Sequence, residues 1–331
     1  MKITILYDSK IDLLAPSHMS LGGIETATIE LALALARLNH EIELRTACER
    51  ELILNGVKNL PIKKGEHYSC DVFISVNHSK YFDYTQCDKK ILWLHNPINI
   101  EKVFRKGMTL SILKHRPHIV FGSLYAEHAM TTLYPFKSRS VIPLGISKEF
   151  LESNIELKRN REFVYASQPH RGLDLTLQAW IDALPHLPDD ASLNIFGVER
   201  DHFASYANNA SRHRIIFHPR ATKATLAKFY ETAYAMVYPG AKDETFCLAA
   251  AEAQCSGLPV ITMGIGSLRE RVSTGVNGIV CQSKEQFSRA ISELANNDDL
   301  YQLLKKGAKL QRQTADWDRV AKLWLNYFSA L

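Results

Sequence analysis

Two glutamates, Glu244 and Glu252, sit in the stretch "YPGAKDETFCLAAAEAQCSGLPVI", residues 238–261. Small apolar residues surround Glu252 and predict a buried helix. A carboxylate placed there is costly unless something satisfies it. Either two ion pairs are hidden in this stretch, or it holds a polar ligand. The strand-like "AYAMVYP" and the loop "GAKD" put a helix start at or just after Glu244, with Glu252 about two turns and roughly 12 Å further in. Between the two carboxylates the helix start would offer the backbone N–H groups of Phe246, Cys247 and Leu248 and the positive end of the helix dipole, which favour a phosphate. Each carboxylate can accept from two adjacent sugar hydroxyls. A ligand with hydroxyl-bearing rings flanking its phosphates, such as a nucleotide diphosphate sugar, has that layout. Two glutamates at this spacing often arise by chance; the "LAAAEAQ" context is what favours a ligand.

Such residues need elements that aim them. Short β-branched runs alternate with longer amphipathic ones, the pattern of βα units on parallel sheets. "KITILY", "EIELRT", "DVFIS", "KILWLH", "HIVFGS" and "SVIPLG" read as strands of a first half, with "IETATIELALALARL" as its first helix. The charged run "SKEFLESNIELKRNR" reads as a domain junction. The second half restarts with "EFVYAS", the helix "LDLTLQAWIDAL", "SLNIFG", "RIIFHP", the helix "KATLAKFYETA" and "AYAMVYP", and closes with "PVITM", "GIVC" and further helices. Doubly wound sheets bind ligands at the carboxyl ends of their strands, and the informative residues follow strands.

With 331 residues the chain can build two cores. A hydrophobic fraction of 46%, a charged fraction of 23% and a net charge of +5 describe an ordinary globular protein and give no case for nucleic acid. Six scattered cysteines without a CxxC pair predict reduced, mostly buried thiols in a cytoplasmic protein. "MKITILYDSK" reaches Asp8 too early for a signal peptide, and no run approaches the ~20 apolar residues of a membrane span. The sequon at Asn209 is therefore expected to be idle.

The stretch with Glu244 and Glu252 resembles the ExxxxxxxE signature of retaining glycosyltransferase family 4, and "SGLPVI" is similar to the strand that follows it in that family. The resemblance implies the GT-B fold, α/β, with two Rossmann-like doubly wound parallel-sheet domains facing across a cleft. It implies an acceptor-side domain over 1–146, a nucleotide-sugar donor domain over 147–312 and a terminal helix over 313–331 packing back on the first domain. By the same resemblance Glu244 contacts donor-sugar hydroxyls, Glu252 the ribose, and the helix-start amides the diphosphate. Cys247 stands where many members have Gly. "LGGIETATIELALALARLNHEIEL" is similar to the family's first glycine-rich loop and helix, so Gly22 and Gly23 would let backbone approach the diphosphate. "ILWLHNP" resembles the strand and loop carrying the family's His, here His95, expected near the donor sugar. "VIPLGISKEF" and "GIGSLRERVSTGVNGIV" match its hinge and later glycine loop, the second placing Gly264 and Gly266 at the cleft.

The donor clamp departs from the pattern. In "ASQPHRGLD" Arg171 fits the position before Gly172 and can grip phosphate oxygens with its planar fork, but Gln168 stands where an Arg is commoner. Arg220 and Lys242 are the candidate replacements for the missing charge, each equally readable as a solvated surface charge. The "DWD" at Asp316–Asp318 reads as helix capping, and His115 with His118 makes a poor metal site. There is no Walker A motif and no G-x-G-x-x-G. No cofactor and no divalent metal are expected, the nucleotide sugar being the donor substrate. In "TADWDRVAKLWLNYF", Trp317, Val320, Leu323, Trp324 and Phe328 share roughly one face.

The resulting expectation is a retaining, metal-independent hexosyltransferase that moves sugar from a UDP- or GDP-sugar to an acceptor hydroxyl in polysaccharide or glycolipid synthesis. His95, Glu244 and Arg171 would be its catalytic residues, acting by front-face transfer. The alternatives are a catalytically silent sugar-nucleotide-binding protein, or an epimerase or phosphorylase on the same fold. The basic amphipathic segment 99–118 carries the expectation of a lipid-linked acceptor or a peripheral contact on the inner face of a membrane; a solvated helix packed on the sheet is its plainer explanation.

Overall fold

A computed structural model describes the chain except for residues 12, 14–20, 64, 97–99, 131–132 and 200–202. The chain divides into two compact units, Met1–Gly145 with Asp316–Leu331, and Ile146–Ala315. The boundaries fall one residue earlier and three residues later than the sequence suggested.

The first unit is built on β1 (Lys2–Tyr7), α1 (Gly23–Arg37), β2 (Glu41–Thr46), β3 (Leu52–Leu54), β4 (Val57–Pro61), β5 (Val72–Val76) and β6 (Lys89–Leu94). It continues through α2 (Ile100–Arg105), α3 (Thr109–His115), β7 (His118–Phe121), α4 (Leu124–His128) and β8 (Arg139–Val141). Its sheet has the order β3-β4-β2-β1-β5-β6-β7-β8 and is parallel except for the β3–β4 pair. All five residues of β5 are buried, as a central strand covered on both faces requires. The β3–β4 hairpin was not foreseen, although Asn55-Gly56 is its signal. Both residues have positive φ, 49° and 82°, the backbone of a type I′ turn. The strand expected over "SVIPLG" stops at Val141, two residues before Pro143, which has no N–H to give a ladder.

The second unit contains α5 (Lys148–Leu151), β9 (Glu162–Tyr165), α6 (Leu173–Ala183), β10 (Ser192–Phe196), α7 (Ala204–Ala207), β11 (Ile215–His218) and α8 (Lys223–Tyr230). There follow β12 (Ala235–Val237), α9 (Leu248–Cys255), β13 (Val260–Thr262), α10 (Leu268–Arg271), β14 (Gly278–Val280), α11 (Lys284–Asn296) and α12 (Asp298–Lys309). Its all-parallel sheet runs β11-β10-β9-β12-β13-β14. The strand order reverses between β9 and β12, and ligands of open α/β sheets sit at such a switch point.

The last helix, α13 (Trp317–Ala330), belongs to the first unit. Asp316 caps it by accepting from the Arg319 N–H at 2.7 Å, the role its sequence position suggested. Trp317, Val320, Ala321, Trp324 and Phe328 form its buried face. Leu323 does not join them and is 43% exposed, because it stands one residue, about 100° of helix, away from Trp324. Trp324 meets Trp93 of β6 edge to face with centroids 5.2 Å apart. Asp318 accepts from Arg37 Nε at 2.9 Å and ties α13 to α1. The Trp317 ring passes so near Gly145 that a Cβ there would lie 2.5 Å from it. The segment over 99–118, of which residue 99 lies outside the described residues, folds as α2 and α3 and leads into β7. Val103, Met108 and Ile112 face the core, while Phe104 and Leu110 are 76% and 80% exposed.

Candidate donor site

Glu244 stands in the loop that leaves β12, at the switch point. Its carboxylate accepts from Arg171 Nη1 at 2.6 Å and from the Tyr238 hydroxyl. Arg171 comes from the loop after β9, on the other side of the reversal, and its second nitrogen lies 3.4 Å from Asp243. Gln168 helps to aim it: its carbonyl accepts from the Arg171 N–H at 3.0 Å and from the Tyr165 hydroxyl at 2.7 Å. The Gln168 side chain therefore adds no charge, and its contribution is to the turn. Arg171 Nε is buried with no hydrogen-bond partner among the described residues, which leaves donor capacity on the guanidinium. Burial outweighs the pull of Arg171 and holds the Glu244 carboxyl above its usual range.

Two glycines keep this loop in place. Gly172 has φ of 94°, and a Cβ on it would lie 2.9 Å from Pro239. Gly266, at φ of 70°, packs on the backbone of the Glu244 loop, where a Cβ would meet the Ala241 and Glu244 carbonyls. The next residue, Ser267, donates its N–H to the Glu244 carbonyl at 2.9 Å. Gly264 lies a turn earlier, its N–H donating to Thr262 Oγ1 at 3.1 Å.

The helix after Glu244 begins later than expected. Leu248 is its first residue and Cys247 its N-cap, so Phe246 and Cys247 precede the helix. The first helical hydrogen bond runs from the Ala251 N–H to the Cys247 carbonyl at 3.1 Å. The amides of Leu248 and Ala249 thus lie ahead of the ladder, where an anion would meet them. Glu252 is only about one turn inside this helix, not two from its start. Cys247 adopts φ 61°, ψ 70°, a left-handed conformation natural to Gly and strained for Cys. Arg271 braces the same turn, with Nε donating to the Phe246 carbonyl at 3.1 Å and its guanidinium 4.3 Å from the Phe246 ring centroid.

Glu252 is buried and ion-paired with Lys223, the first residue of α8. Sequence reasoning missed this lysine as the partner of Glu252; Arg220, the candidate replacement for the clamp charge missing at Gln168, is exposed three residues earlier. The signal was available, since Lys223 opens the helix that follows the carboxyl end of β11. Lys242 is exposed as well. Both glutamates are therefore held against cations, so the ion-pair solution to their burial is realised in this structure.

The other expected residues lie in the first unit. His95 directly follows β6, is buried, and donates its N–H to Asn77 Oδ1 at 2.8 Å. Its ring packs on Trp93 with centroids 4.3 Å apart. Burial depresses the His95 imidazole to about 3, so it is neutral at physiological pH. Gly22 is the N-cap of α1 and Gly23 its first residue. The space that Gly22 was expected to open to a diphosphate holds the Glu25 carboxylate instead, which accepts from the Tyr7 hydroxyl at 3.3 Å. Among the described residues no group of three or more His, Cys, Asp or Glu side chains is placed to hold a metal ion. No helix among them is long and apolar enough to cross a membrane.

Residues 152–311 match the family model described as glycosyl transferases group 1. A D-inositol 3-phosphate glycosyltransferase of Xylanimonas cellulosilytica is 29% identical over 158 residues, 45% of this chain and 38% of that protein. The chain thus matches well under half of that relative's length. Among solved structures, a glycosyltransferase from Rickettsia africae aligns over 99% of this chain and 98% of its own, with a TM-score of 0.77 at 14% identity. Anabaena Alr3699/HepE, solved in complex with UDP and glucose, aligns over the full length of both chains with a TM-score of 0.74 at 15% identity. The fold is GT-B, with two parallel-sheet α/β domains, and the sequence matches support a transferase.

Proposed function

We propose that the protein is a retaining, metal-independent glycosyltransferase of family 4 that takes a sugar from a nucleoside diphosphate donor and transfers it to an acceptor hydroxyl. The observation that carries this reading is the arrangement at the switch point of the second sheet. Two buried carboxylates, Glu244 and Glu252, bracket a helix start, each already held by a cation from a neighbouring loop or helix. A buried ion pair adds little net stability, so two of them at the ligand-binding edge of a doubly wound sheet point to recognition. HepE, which shares this fold, was solved with UDP and glucose, and that complex supports a sugar nucleotide as ligand here.

In this mechanism the Leu248 and Ala249 amides and the Arg171 guanidinium receive the diphosphate, and their preorganised positive charge stabilises it as it departs. Binding draws Arg171 from Asp243, its more distant partner. Glu244, kept oriented by Tyr238, accepts from donor-sugar hydroxyls, while Glu252, held by Lys223, accepts from ribose hydroxyls. The departing phosphate takes the proton of the attacking acceptor on the same face of the sugar, so configuration is retained. His95, neutral, orients the sugar by hydrogen bonding. The proposal includes a saccharide or lipid-linked acceptor, a polysaccharide or glycolipid product, and work at the cytoplasmic face of a membrane. Exposed Phe104 and Leu110 beside Lys102, Arg105 and Lys106 support the membrane contact.

Thermal unfolding in EDTA with UDP, GDP, ADP or NAD, on wild type and on Glu252→Ala, tests the reading. A nucleoside diphosphate at a hundred times its Kd stabilises the native state by about 2.7 kcal/mol. One such diphosphate should raise the wild-type Tm and leave that of the variant unmoved. A response to NAD alone, or to none of the four, would overturn the proposal. Release of nucleoside diphosphate from the matching nucleotide sugar in EDTA then tests metal independence, and the anomeric coupling of the product tests retention.

A further inference from the structure

Cys70 and Cys87 are far apart in the chain, and nothing in their spacing suggests a pair. The strand register brings them together. β5 pairs with β6 in parallel so that Val72 faces Lys89, and a bridge ahead of both strands sets Tyr68 opposite Thr85. The two pairs share one offset, and that offset sets Cys70 opposite Cys87. Neighbouring strands lie about 4.8 Å apart, inside the ~4.4–6.8 Å between Cα atoms that a disulfide spans.

The side chains complete the geometry. The two thiols are close enough to perturb one another. Cys87 Sγ is 3.1 Å from the carbonyl oxygen of Asp71, the residue next to Cys70. The Cys87 N–H donates to Thr85 Oγ1 at 3.2 Å, and that hydroxyl donates to the Tyr68 carbonyl at 2.9 Å. Both backbones are thus fixed on either side of the pair. Each cysteine is only partly buried, packed on the apolar cluster that includes Tyr68 and Phe73. Cys247, Cys255 and Cys281 are buried. The neighbouring Cys87 thiol is the main cause that lowers the Cys70 thiol below its ordinary value, and the same contact raises Cys87, so Cys70 is the better attacking thiolate of the two.

We propose that Cys70 and Cys87 are a reversible redox pair, closed to a disulfide by a small disulfide oxidant such as glutathione disulfide and reopened by a dithiol. The Cys70 thiolate attacks one sulfur of the oxidant, expels one thiolate and forms a mixed disulfide. Cys87, deprotonated, attacks the Cys70 sulfur and expels the second thiolate. Two protein thiols are oxidised by two electrons, one oxidant disulfide is reduced to two thiols, and the two protons from Cys70 and Cys87 pass to the leaving thiolates. The new bond joins the entries of β5 and β6, at the sheet edge opposite Asn77 and His95. It therefore locks the register of the central strands without touching the residues that follow them.

The full chain, incubated at pH 7.5 with glutathione disulfide and digested with trypsin without reduction, tests this. Cleavage after Lys80 separates the two cysteines, so peptides 65–80 and 81–89 should appear linked, and dithiothreitol should release them. Cys87→Ser should instead keep a glutathione adduct on Cys70. The oxidised wild type should unfold at a higher urea concentration than the reduced protein. Unlinked peptides, stable glutathione adducts on both cysteines of the wild type, or a link from either one to Cys48 would overturn the proposal.

Discussion

Glu244 and His95 respond to burial in opposite directions for one physical reason, that low-dielectric surroundings disfavour whichever form is charged. The Glu244 carboxyl is raised above its ordinary value of 4.5. Its contribution to stability is therefore fully present below that value and is lost as pH rises through the folded-state pKa. Glu244→Gln should gain on wild type as pH is taken from 4 to 7, read as a Tm difference that grows with pH; a flat difference would show that Arg171 cancels the burial. His95 is lowered from 6.5 to about 3. Below pH 6.5 the unfolded chain takes up a proton that the folded chain refuses, so wild type should lose about 1.4 kcal/mol per pH unit down to about 3 relative to His95→Gln. Urea titrations of both proteins at pH 4, 5, 6 and 7 measure that slope. Glu252 could be picked out in the sequence because a carboxylate is improbable among small apolar residues, and Glu244 and Arg171 through the motifs they share with the family. Lys223 and Tyr238 could not, since a lysine opening a helix and a tyrosine ending a strand are common. Only the approach of each to its carboxylate gives it meaning.

The elements that position the site depend on a few backbone contacts. Gly266 supports the Glu244 loop through a left-handed turn pressed on two carbonyls. Gly266→Ala should destabilise the protein by about 2 kcal/mol or more, combining left-handed strain with displaced backbone, and should also weaken nucleotide binding by moving Glu244 and with it the Arg171 that it holds. Gly65→Ala supplies the control: it too has positive φ, 80°, but no atom within 4 Å of the added Cβ. Its cost should stay near 1–2 kcal/mol, with binding untouched. Equal losses in the two variants, by urea unfolding and nucleotide titration, would remove the loop-support role. The same loop shows where periodicity misleads. "TFCLAAAEAQC" carries helical spacing back toward Glu244, yet the left-handed Cys247 starts the helix at Leu248. A backbone φ leaves no trace in a hydrophobic pattern.

Across the whole molecule the chain completes its first unit only with its last helix. Trp324, fully buried against Trp93 and Phe328, closes a core that residues 1–145 leave incomplete. Trp324→Ala should cost about 3–5 kcal/mol in that unit. Hydrogen exchange should report the loss in α1, β6 and α13, with β9–β14 retaining their protection. Uniform loss across both sheets would mean that the two units unfold as one.

The alternation of β-branched and amphipathic runs was enough to determine two doubly wound units, because strands buried on both faces must be apolar and their covering helices must be amphipathic. It was also enough to place Glu244 in the loop after a strand and Glu252 in the helix that follows it. Tertiary structure decided what those local patterns could not carry. It chose the partners of the buried charges and the start of α9, and it filled the space beside Gly22 with Glu25. It also set Cys70 opposite Cys87. These are contacts between residues distant in sequence, fixed by strand order and register, and composition and spacing within one segment hold no record of them.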